Sequence, residues 1–223
     1  MSEKMFSDSA LARMGWAKAK EHVGTYIVAT FVGGLAVIIP AGIILIIGGA
    51  IEQEEIFALL AFLSYIAMGS VIGAGFVRLF LNAVDGKEVS IKVLFSETKR
   101  ALPYLLVTVL YGLIVMIGLI LFIIPGIIWS LKYILAPMLV VDQGMKPMEA
   151  LRASAQMTDG IKWDIYGFQQ VFGTIVMLGY LVFFIGILVS VPVAMIAYMG
   201  LYRHLSPMKS GTARILTASS VTV

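Results

Sequence analysis

Residues 121–164 read LFIIPGIIWSLKYILAPMLVVDQGMKPMEALRASAQMTDGIKWD, and their pattern decides the expected fold. Two apolar runs flank the pair Pro125-Gly126, and a stretch of different composition, residues 146–160, follows them. Pro147 suits the first position of a helix in that stretch, and a glycine stands just past its expected end. The segment therefore predicts two membrane-crossing helices joined by a turn, and then a short amphipathic helix beside the membrane.

The composition extends this interpretation to the whole chain. Of 223 residues, 60% are hydrophobic and 13% are charged, whereas an average soluble domain is about 25% charged. A spanning helix needs about 20 mostly apolar residues, which leaves room for roughly five to seven spans. The absence of cysteine excludes disulfides and thiolate metal sites. We therefore expect an all-α integral membrane protein.

We divide the chain into three parts. Residues 1–22 form a cytoplasmic segment with an interfacial helix from about Ser9, residues 23–205 hold six transmembrane helices, and residues 206–223 form a polar cytoplasmic tail. A second amphipathic helix is expected at residues 88–99. The expected spans are residues 23–51, 56–82, 103–124 and 127–141, and two more within residues 163–205, divided near residues 189–192.

The placement of charge supports an even number of spans. With six spans, one face carries all of the 16 Lys and Arg residues except Lys132, and the other face receives Glu52, Glu54 and Glu55. An odd number would distribute the basic residues over both faces. By the positive-inside rule, both termini are then cytoplasmic.

A repeated pattern suggests that the six helices form three hairpins with a pseudo-threefold arrangement. Near the expected outer turns the sequence reads IIPAG, IIPG and VSVP, so that Pro40, Pro125 and Pro192 mark those turns. The expected inner ends read AVDGKEVS from Ala83 and VVDQGMKP from Val140. Parallel two-helix repeats of this kind differ from the inverted repeats common in transporters.

Small residues four apart predict close helix contacts. Gly69 and Gly73 have G-x-x-x-G spacing, which lets two helix backbones approach in lipid. The alternative is a glycine-rich helix without a specific partner. A second ladder consists of Gly186, Ser190 and Ala194.

Catalytic groups are scarce in the expected membrane region. No Asp or Glu falls inside an expected span, and His22 and His204 lie at the cytoplasmic boundary. The chain lacks a zinc-binding H-E-x-x-H motif, a nucleophile elbow, a phosphate-binding loop and a dinucleotide fingerprint. We therefore expect no enzyme activity, no cofactor and no metal.

Three cations are candidate contacts for a ligand or lipid: Lys132, Arg78 and Arg152. Lys132 is expected roughly 8 Å below the outer boundary. There it either binds an anionic group or extends outward toward the glutamates of the first outer turn. Arg78 is expected to extend to the inner interface. Because juxtamembrane cations attract anionic headgroups, we expect anionic lipids at the cytoplasmic face, and nothing points to nucleic acid.

The same residues carry a resemblance to a known group. The Pro-Gly turn, Lys132-Tyr133, Ala136-Pro137 and the A-L-R-x-S helix beginning at Ala150 are its shared pattern. The chain resembles bacterial inner-membrane proteins related to the membrane domain of some glycerophosphoryl diester phosphodiesterases. The resemblance covers the second half of the chain and implies a six-helix membrane fold without an established activity. The soluble phosphodiesterase domain is absent, so its chemistry is not carried over.

The sequence names neither a substrate nor a reaction. We expect a non-enzymatic multi-pass membrane protein that acts as an accessory or scaffold component of a membrane assembly. Its partner would be another membrane protein or a second copy of the chain. The alternative is a transporter or lipid-handling protein with an intramembrane cavity near Lys132. The two hypotheses differ in whether Lys132 lines a cavity or reaches the outer interface.

Overall fold

The computed structural model describes residues 6–181 and 186–206, and helices account for most of these residues. No β-strand occurs in these ranges, so the all-helical prediction is confirmed. A short 3₁₀ helix, Ile91–Phe95, precedes α4. The α-helices are α1 (Asp8–Glu21), α2 (Val23–Ala50), α3 (Glu54–Val84), α4 (Thr98–Leu121), α5 (Ile123–Tyr133), α6 (Ala136–Gln143), α7 (Pro147–Met157), α8 (Lys162–Leu181) and α9 (Ile187–Leu205).

Five stretches within the described ranges are long and apolar enough to cross a membrane. They are α2, α3, α4, the α5–α6 stretch Ile123–Gln143, and α9. Helix α8 has 20 residues but is not among them. Its sequence includes Lys162, Asp164, Gln169 and Gln170, which lower its hydropathy. The predicted sixth span is therefore not established by length and composition.

Long helices adjacent in sequence pack against each other, and glycines mark their closest approaches. Gly33 of α2 faces Phe76 of α3, and a Cβ at Gly33 would lie 3.1 Å from the Phe76 ring. A Cβ at Gly118 of α4 would lie 2.8 Å from the Cα of Gly126 in α5. Likewise, Gly186, which precedes α9, packs on Gly179 of α8. At Gly118 and Gly186 a Cβ would collide with backbone atoms and separate the helices, whereas at Gly33 the neighbouring side chains would need only a small shift.

The short helices α1 and α7 and the 3₁₀ helix pack against other helices of the described chain. Gly15 of α1 lies against the backbone of Val193 in α9. Gly75 of α3 lies against the backbone of Leu94 in the 3₁₀ helix. Helix α7 packs against α6 and the end of α5. Because α1 contacts α9, the first and last parts of the described chain are joined.

Burial is concentrated in one half of the molecule. Apart from Ala61, every buried residue of α3 lies between Ser70 and Val84. The residues of α6 and α9 that pack beside this half are also mostly buried. The opposite half exposes large apolar side chains, such as Ile46 at 74% and Ile120 at 76%. Such exposure suits a lipid environment.

The three prolines predicted at outer turns instead lie inside helices. Pro40 lies within α2 and Pro192 within α9, where it is buried. Pro125 lies in the first turn of α5, where the missing N–H would have no intrahelical partner anyway. The turn between α4 and α5 is made by Phe122, whose backbone is extended. The three prolines of the repeated pattern therefore do not mark the turns between the long helices.

Other predicted boundaries also need correction. The third span ends at Leu121, and the fourth starts at Ile123 and is interrupted after Tyr133, so it is longer than predicted. The predicted division near residues 189–192 falls inside α9, and the helix predicted at residues 88–99 is reduced to the 3₁₀ helix. The first helix is capped by Ser7, not Ser9. The predicted tail lies outside the described residues except for Ser206.

Candidate functional site

The C-terminal ends of α3, α6 and α9 meet in a cluster of buried charges. Arg203 of α9 donates to both oxygens of Asp85, from Nε at 2.8 Å and from Nη2 at 2.7 Å. It also donates to Asp142 of α6, from Nη1 at 2.5 Å and from Nη2 at 3.0 Å. These three side chains are only 10–13% exposed. We call Asp85, Asp142 and Arg203 the charged junction.

Local sequence explains why these groups meet at helix ends. Helix α3 is followed by Gly86 with φ +67°, and α6 by Gly144 with φ +69°. This left-handed conformation ends helices and is easiest for glycine. The aspartates therefore lie at or next to the helix ends. Arg203 lies in the last turn of α9, where the helix dipole favours a cation.

Two further arginines tie the junction to the start of α4. Arg78 Nε donates to Glu97 Oε1 at 2.7 Å, and Arg78 Nη1 lies 3.7 Å from Asp142 Oδ1. Arg100 Nη1 lies 3.2 Å from Glu97 Oε2. Both arginines also donate to the carbonyl oxygen of Val141, which lies at the end of α6. The predicted extension of Arg78 to the interface is therefore wrong, because its guanidinium is held by these partners.

Neutral side chains complete the hydrogen bonding. The Tyr202 hydroxyl donates to Asp142 Oδ2 at 2.7 Å and accepts from Gln143 Nε2 at 3.2 Å. Gln143 also donates to the Ser206 hydroxyl at 3.1 Å. The acceptor atoms of Asp142 are thus shared between arginines and a tyrosine. Three hydrogen bonds from Arg203 and Tyr202 therefore hold the Asp142 carboxylate, and Arg78 lies 3.7 Å from its Oδ1.

The arginines and carboxylates of the junction and its neighbours are equal in number, and the exposed Lys87 adds one cation 3.4 Å from Asp85 Oδ2. Three arginines (Arg78, Arg100 and Arg203) stand against three carboxylates (Asp85, Glu97 and Asp142). Removing one partner of a buried ion pair costs about 3–5 kcal/mol, because the remaining charge is uncompensated. No set of His, Cys, Asp or Glu suited to a metal ion occurs in residues 6–181 and 186–206. The ion pairs of the charged junction therefore hold the ends of α3, α6 and α9 together.

A second polar contact joins α7 to the interruption between α5 and α6. Pro137 contributes to this interruption, since proline has no N–H and its ring clashes with the preceding turn. Ser154 Oγ donates to the carbonyl oxygen of Lys132 at 2.9 Å and accepts from the Leu135 N–H at 3.2 Å. Thr158 Oγ1 donates to the same carbonyl oxygen at 3.2 Å. Side chains of α7 thus replace hydrogen bonds that the broken helix lacks.

Lys132 is placed differently from the prediction. It lies roughly 14 Å along the helix axis from Ile123. Its Nζ is 5.5 Å from the centroid of the Tyr133 ring. A hydrogen bond from Lys162, and then the charges of Lys162 and Lys132, lower the pKa of the exposed Asp159. The end of α5 at Lys132 thus lies against α7, since the Lys132 carbonyl oxygen accepts from Ser154 and Thr158.

Of the remaining predicted site residues, some have no close neighbour and the others pack against a neighbouring helix. Arg152 is exposed on α7, and Gly69 has no atom within 4 Å of an added Cβ, so the predicted Gly69–Gly73 pair does not form one contact. Gly73 does pack, against the ring of Tyr104. In the second ladder, Gly186 and Ser190 face Gly179 of α8, and Ala194 is buried.

A groove of about 320 Å³ opens beside α7, on a part of the surface that Lys132 does not line. Its walls are mainly apolar, with two glutamines. The lining residues are Leu139, Gln143, Met145, Ala153, Gln156, Met157 and Leu205.

Comparisons with known proteins give relatives but no family. The chain is 32% identical over 150 residues to an uncharacterized protein of Mycobacterium tuberculosis and to one of Mycobacterium bovis. The aligned region covers 65% of this chain and 45% of each relative. The chain therefore matches less than half the length of these relatives. No protein-family model and no solved structure matches the chain.

Sequence reasoning missed the junction and the α7 contact, although the sequence contained signals for both. The matched inner ends, AVDGKEVS and VVDQGMKP, contain Asp85 and Asp142 at corresponding places. The A-L-R-x-S pattern contains the buried Ser154. On α7 the side chain of Met148 is 53% exposed, whereas Ser154 and Thr158 are fully buried. The partner of Ser154 and Thr158, the Lys132 carbonyl oxygen, lies more than 20 residues earlier, so no local pattern indicated the contact.

Proposed function

We propose that this chain is a non-enzymatic multi-pass membrane protein that acts as an accessory or scaffold component of a membrane assembly. The observation that carries the proposal is the charged junction. Its arginine donates to both carboxylates, and these bonds hold α3, α6 and α9 in one arrangement. A rigid helical body with a large apolar exterior suits a support for other subunits better than a moving gate.

The proposal includes a bacterial inner-membrane location and six spans in three hairpins, with α8 as the fifth span. The cyclic packing of the short helices supports a pseudo-threefold arrangement, since α1 packs on α9, the 3₁₀ helix on α3, and α7 on α6. The junction residues support it as well. Each of them directly follows two buried residues at the end of a helix that the proposal directs inward. Membership of the group related to the phosphodiesterase membrane domain is part of this proposal.

The topology can be tested at the C-terminus. If α8 crosses the membrane, both termini are cytoplasmic, so green fluorescent protein fused to the C-terminus will fluoresce. Alkaline phosphatase fused at the same point will be inactive, because it folds only outside the cytoplasm. If α8 does not cross, α9 delivers the C-terminus to the other side and the two results are reversed. That reversal would contradict the six-span arrangement.

A single cysteine provides the control for the opposite face. Because the chain has no cysteine, Glu55→Cys gives one reactive thiol in the first turn of α3, next to the connection from α2. A membrane-impermeant maleimide should label it in intact cells. Glu88→Cys, between α3 and the 3₁₀ helix, should react only after the membrane is permeabilised.

The scaffold role is tested by native purification followed by mass spectrometry. We expect the full-length chain to leave the membrane with a protein partner, or a second copy, at a fixed stoichiometry that survives lipid exchange. Lys132→Gln should leave this assembly intact, since Lys132 lies outside the charged junction. A monomer that carries one defined solute, and moves that solute across proteoliposomes, would contradict the scaffold role.

A transporter or lipid-handling protein remains the second candidate, and one observation favours it. The α5–α6 stretch is interrupted within a candidate span, and interrupted helices often form transporter binding sites. In that case Lys132, which lies next to the interruption, would contact the transported molecule. Transport in proteoliposomes would then be lost in Lys132→Gln, whereas the scaffold role predicts no such transport.

A further inference from the structure

The exposed face of α1 carries two cations and a tryptophan. Arg13, Trp16 and Lys20 are three and four residues apart, so their side chains project within about 60° of one another around the helix. All three residues are exposed, Trp16 at 49%. The Lys20 Nζ lies 5.0 Å from the centroid of the Trp16 ring. These three residues therefore share one surface, which we call the α1 surface.

The opposite face of α1 packs on α9, and this contact fixes the direction of the α1 surface. Leu11 and Ala19 are each 2% exposed, and a Cβ at Gly15 would lie 2.7 Å from the carbonyl oxygen of Val193 in α9. The three packed positions of α1 lie about 120–160° around the helix from Arg13. The α1 surface therefore points away from the helix on which α1 packs.

The cations of the α1 surface lack acidic partners. Glu21 of the same helix pairs with Lys18 at 3.1 Å. Asp8 lies about 140° around the helix from Arg13. In the part of the chain that the structure describes, neither Arg13 nor Lys20 forms an ion pair. The surface thus carries two positive charges that an external anion can approach.

The lengths of the helices indicate where a bilayer would end. Helix α3 has 31 residues and is roughly 46 Å long, about 16 Å more than the hydrocarbon core of a bilayer. Its first turn carries Glu54 and Glu55, which lie outside the hydrocarbon core, and its buried residues are concentrated toward the other end. The excess length of α3 therefore belongs to its buried C-terminal end.

Helix α9 relates α1 to this boundary. The ends of α3 and α9 lie at the same level, since Arg203 donates to Asp85. Val193, which α1 contacts, precedes Arg203 by ten residues, or roughly 15 Å along the helix axis. That distance matches the excess length of α3. Helix α1 therefore lies at the level where the hydrocarbon core ends and the lipid headgroups begin.

The chemistry of the α1 surface fits the headgroup level. Tryptophan concentrates there because one part of its ring system is apolar and another part is polar. Lysine and arginine beside a membrane attract anionic headgroups. In addition, α1 is joined through the single residue His22 to α2, which is a candidate span beginning at Val23. The expected partner of the surface is therefore an anionic lipid.

We propose that Arg13, Trp16 and Lys20 bind the phosphate-bearing headgroups of anionic phospholipids in the leaflet that α2 enters first. Arg13 offers planar donors that match phosphate oxygens, and Lys20 adds positive charge. The ring of Trp16 lies beside the glycerol and the upper part of the acyl chains. The proposal rests on the proposed membrane location of the chain and not on the scaffold role.

The test uses the full-length chain with Trp129→Phe and Trp163→Phe, which leaves Trp16 as its one tryptophan. This reference protein is placed in nanodiscs of phosphatidylcholine and phosphatidylglycerol. One of the two lipids carries bromine, a contact quencher of tryptophan fluorescence, on the upper part of its acyl chains. At equal mole fractions, we expect brominated phosphatidylglycerol to quench Trp16 more strongly than brominated phosphatidylcholine. The difference measures the enrichment of the anionic lipid beside α1.

A pair of charge variants assigns this enrichment to the α1 surface. Arg13→Gln/Lys20→Gln should lower the preference for phosphatidylglycerol about 25-fold, at about fivefold per cation, and so abolish the excess quenching. The matched control, Lys92→Gln/Lys99→Gln, removes two positive charges from exposed positions elsewhere and should keep the excess quenching. Because all four side chains are exposed, both variants should keep the melting temperature of the reference protein.

Several results would overturn the proposal. One is equal quenching of the reference protein by the two brominated lipids. Another is the same excess, or the same loss of it, in both double variants. Loss of the excess on addition of inorganic phosphate at constant ionic strength would assign the surface to a soluble phosphate. A failed scaffold role is distinguishable, because the quenching is measured on the chain alone and needs no protein partner.

Discussion

Arg203→Ala is expected to lower the free energy of unfolding by about 3–5 kcal/mol. The substitution leaves Asp85 and Asp142 largely buried without the guanidinium that donates to both. Lys87, 3.4 Å from Asp85, is well exposed and compensates little. Thermal unfolding of the purified protein in one detergent, followed by tryptophan fluorescence, should show a melting temperature lower by on the order of 10 °C.

Two further variants distinguish the loss of the buried ion pairs of Arg203 from the loss of one positive charge. Arg152→Ala removes the same charge from an exposed position and should change stability by no more than about 0.5 kcal/mol. Arg203→Gln combined with Asp85→Asn and Asp142→Asn removes all three charges together. Because no buried charge is then left alone, this triple variant should recover most of the lost stability. Equal melting temperatures for Arg203→Ala and Arg152→Ala would show that the junction does not hold the helices.

The junction also shows what sequence reasoning could and could not reach. Long apolar runs predicted the helices, because hydrophobic length is a local property of the chain. Pairing is not local: Arg203 meets residues more than 60 positions earlier, and Arg78 meets Glu97 from the next segment. A charge at a helix end was therefore assigned to the interface by default. Only the match between the two inner-end sequences pointed to Asp85 and Asp142 as a pair.

The placement of Lys132 depended on a helix boundary. The prediction started the fourth span after Pro125-Gly126 and so put Lys132 close to the outer boundary. Helix α5 instead begins at Ile123 and includes this pair in its first turn. The interruption after Tyr133 then brings Lys132 to α7, through the hydroxyl groups of Ser154 and Thr158. An error of one helical turn thus changed the expected partners of the candidate residue.

Gly75→Ala is the second variant with a large expected effect. A Cβ at Gly75 would lie 2.5 Å from the Cα and 2.6 Å from the carbonyl carbon of Leu94. These are backbone atoms of the 3₁₀ helix, so they cannot move aside as a flexible side chain can. Both residues are buried, and Leu94 is fully so. We expect destabilisation at the upper end of the 1–3 kcal/mol typical of overpacking, measured by the same unfolding assay.

Gly69→Ala is the matched control, since it makes the same change on α3 where no atom lies within 4 Å of the new Cβ. Alanine favours a helix over glycine by roughly 0.5–1 kcal/mol, so this variant should keep or raise the melting temperature. If Gly75→Ala lowers the melting temperature and Gly69→Ala does not, glycine is needed in α3 for the contact with Leu94. Equal losses would instead mean that α3 needs glycine at both positions, as the G-x-x-x-G pattern suggests, and that the close approach to the 3₁₀ helix does not decide stability.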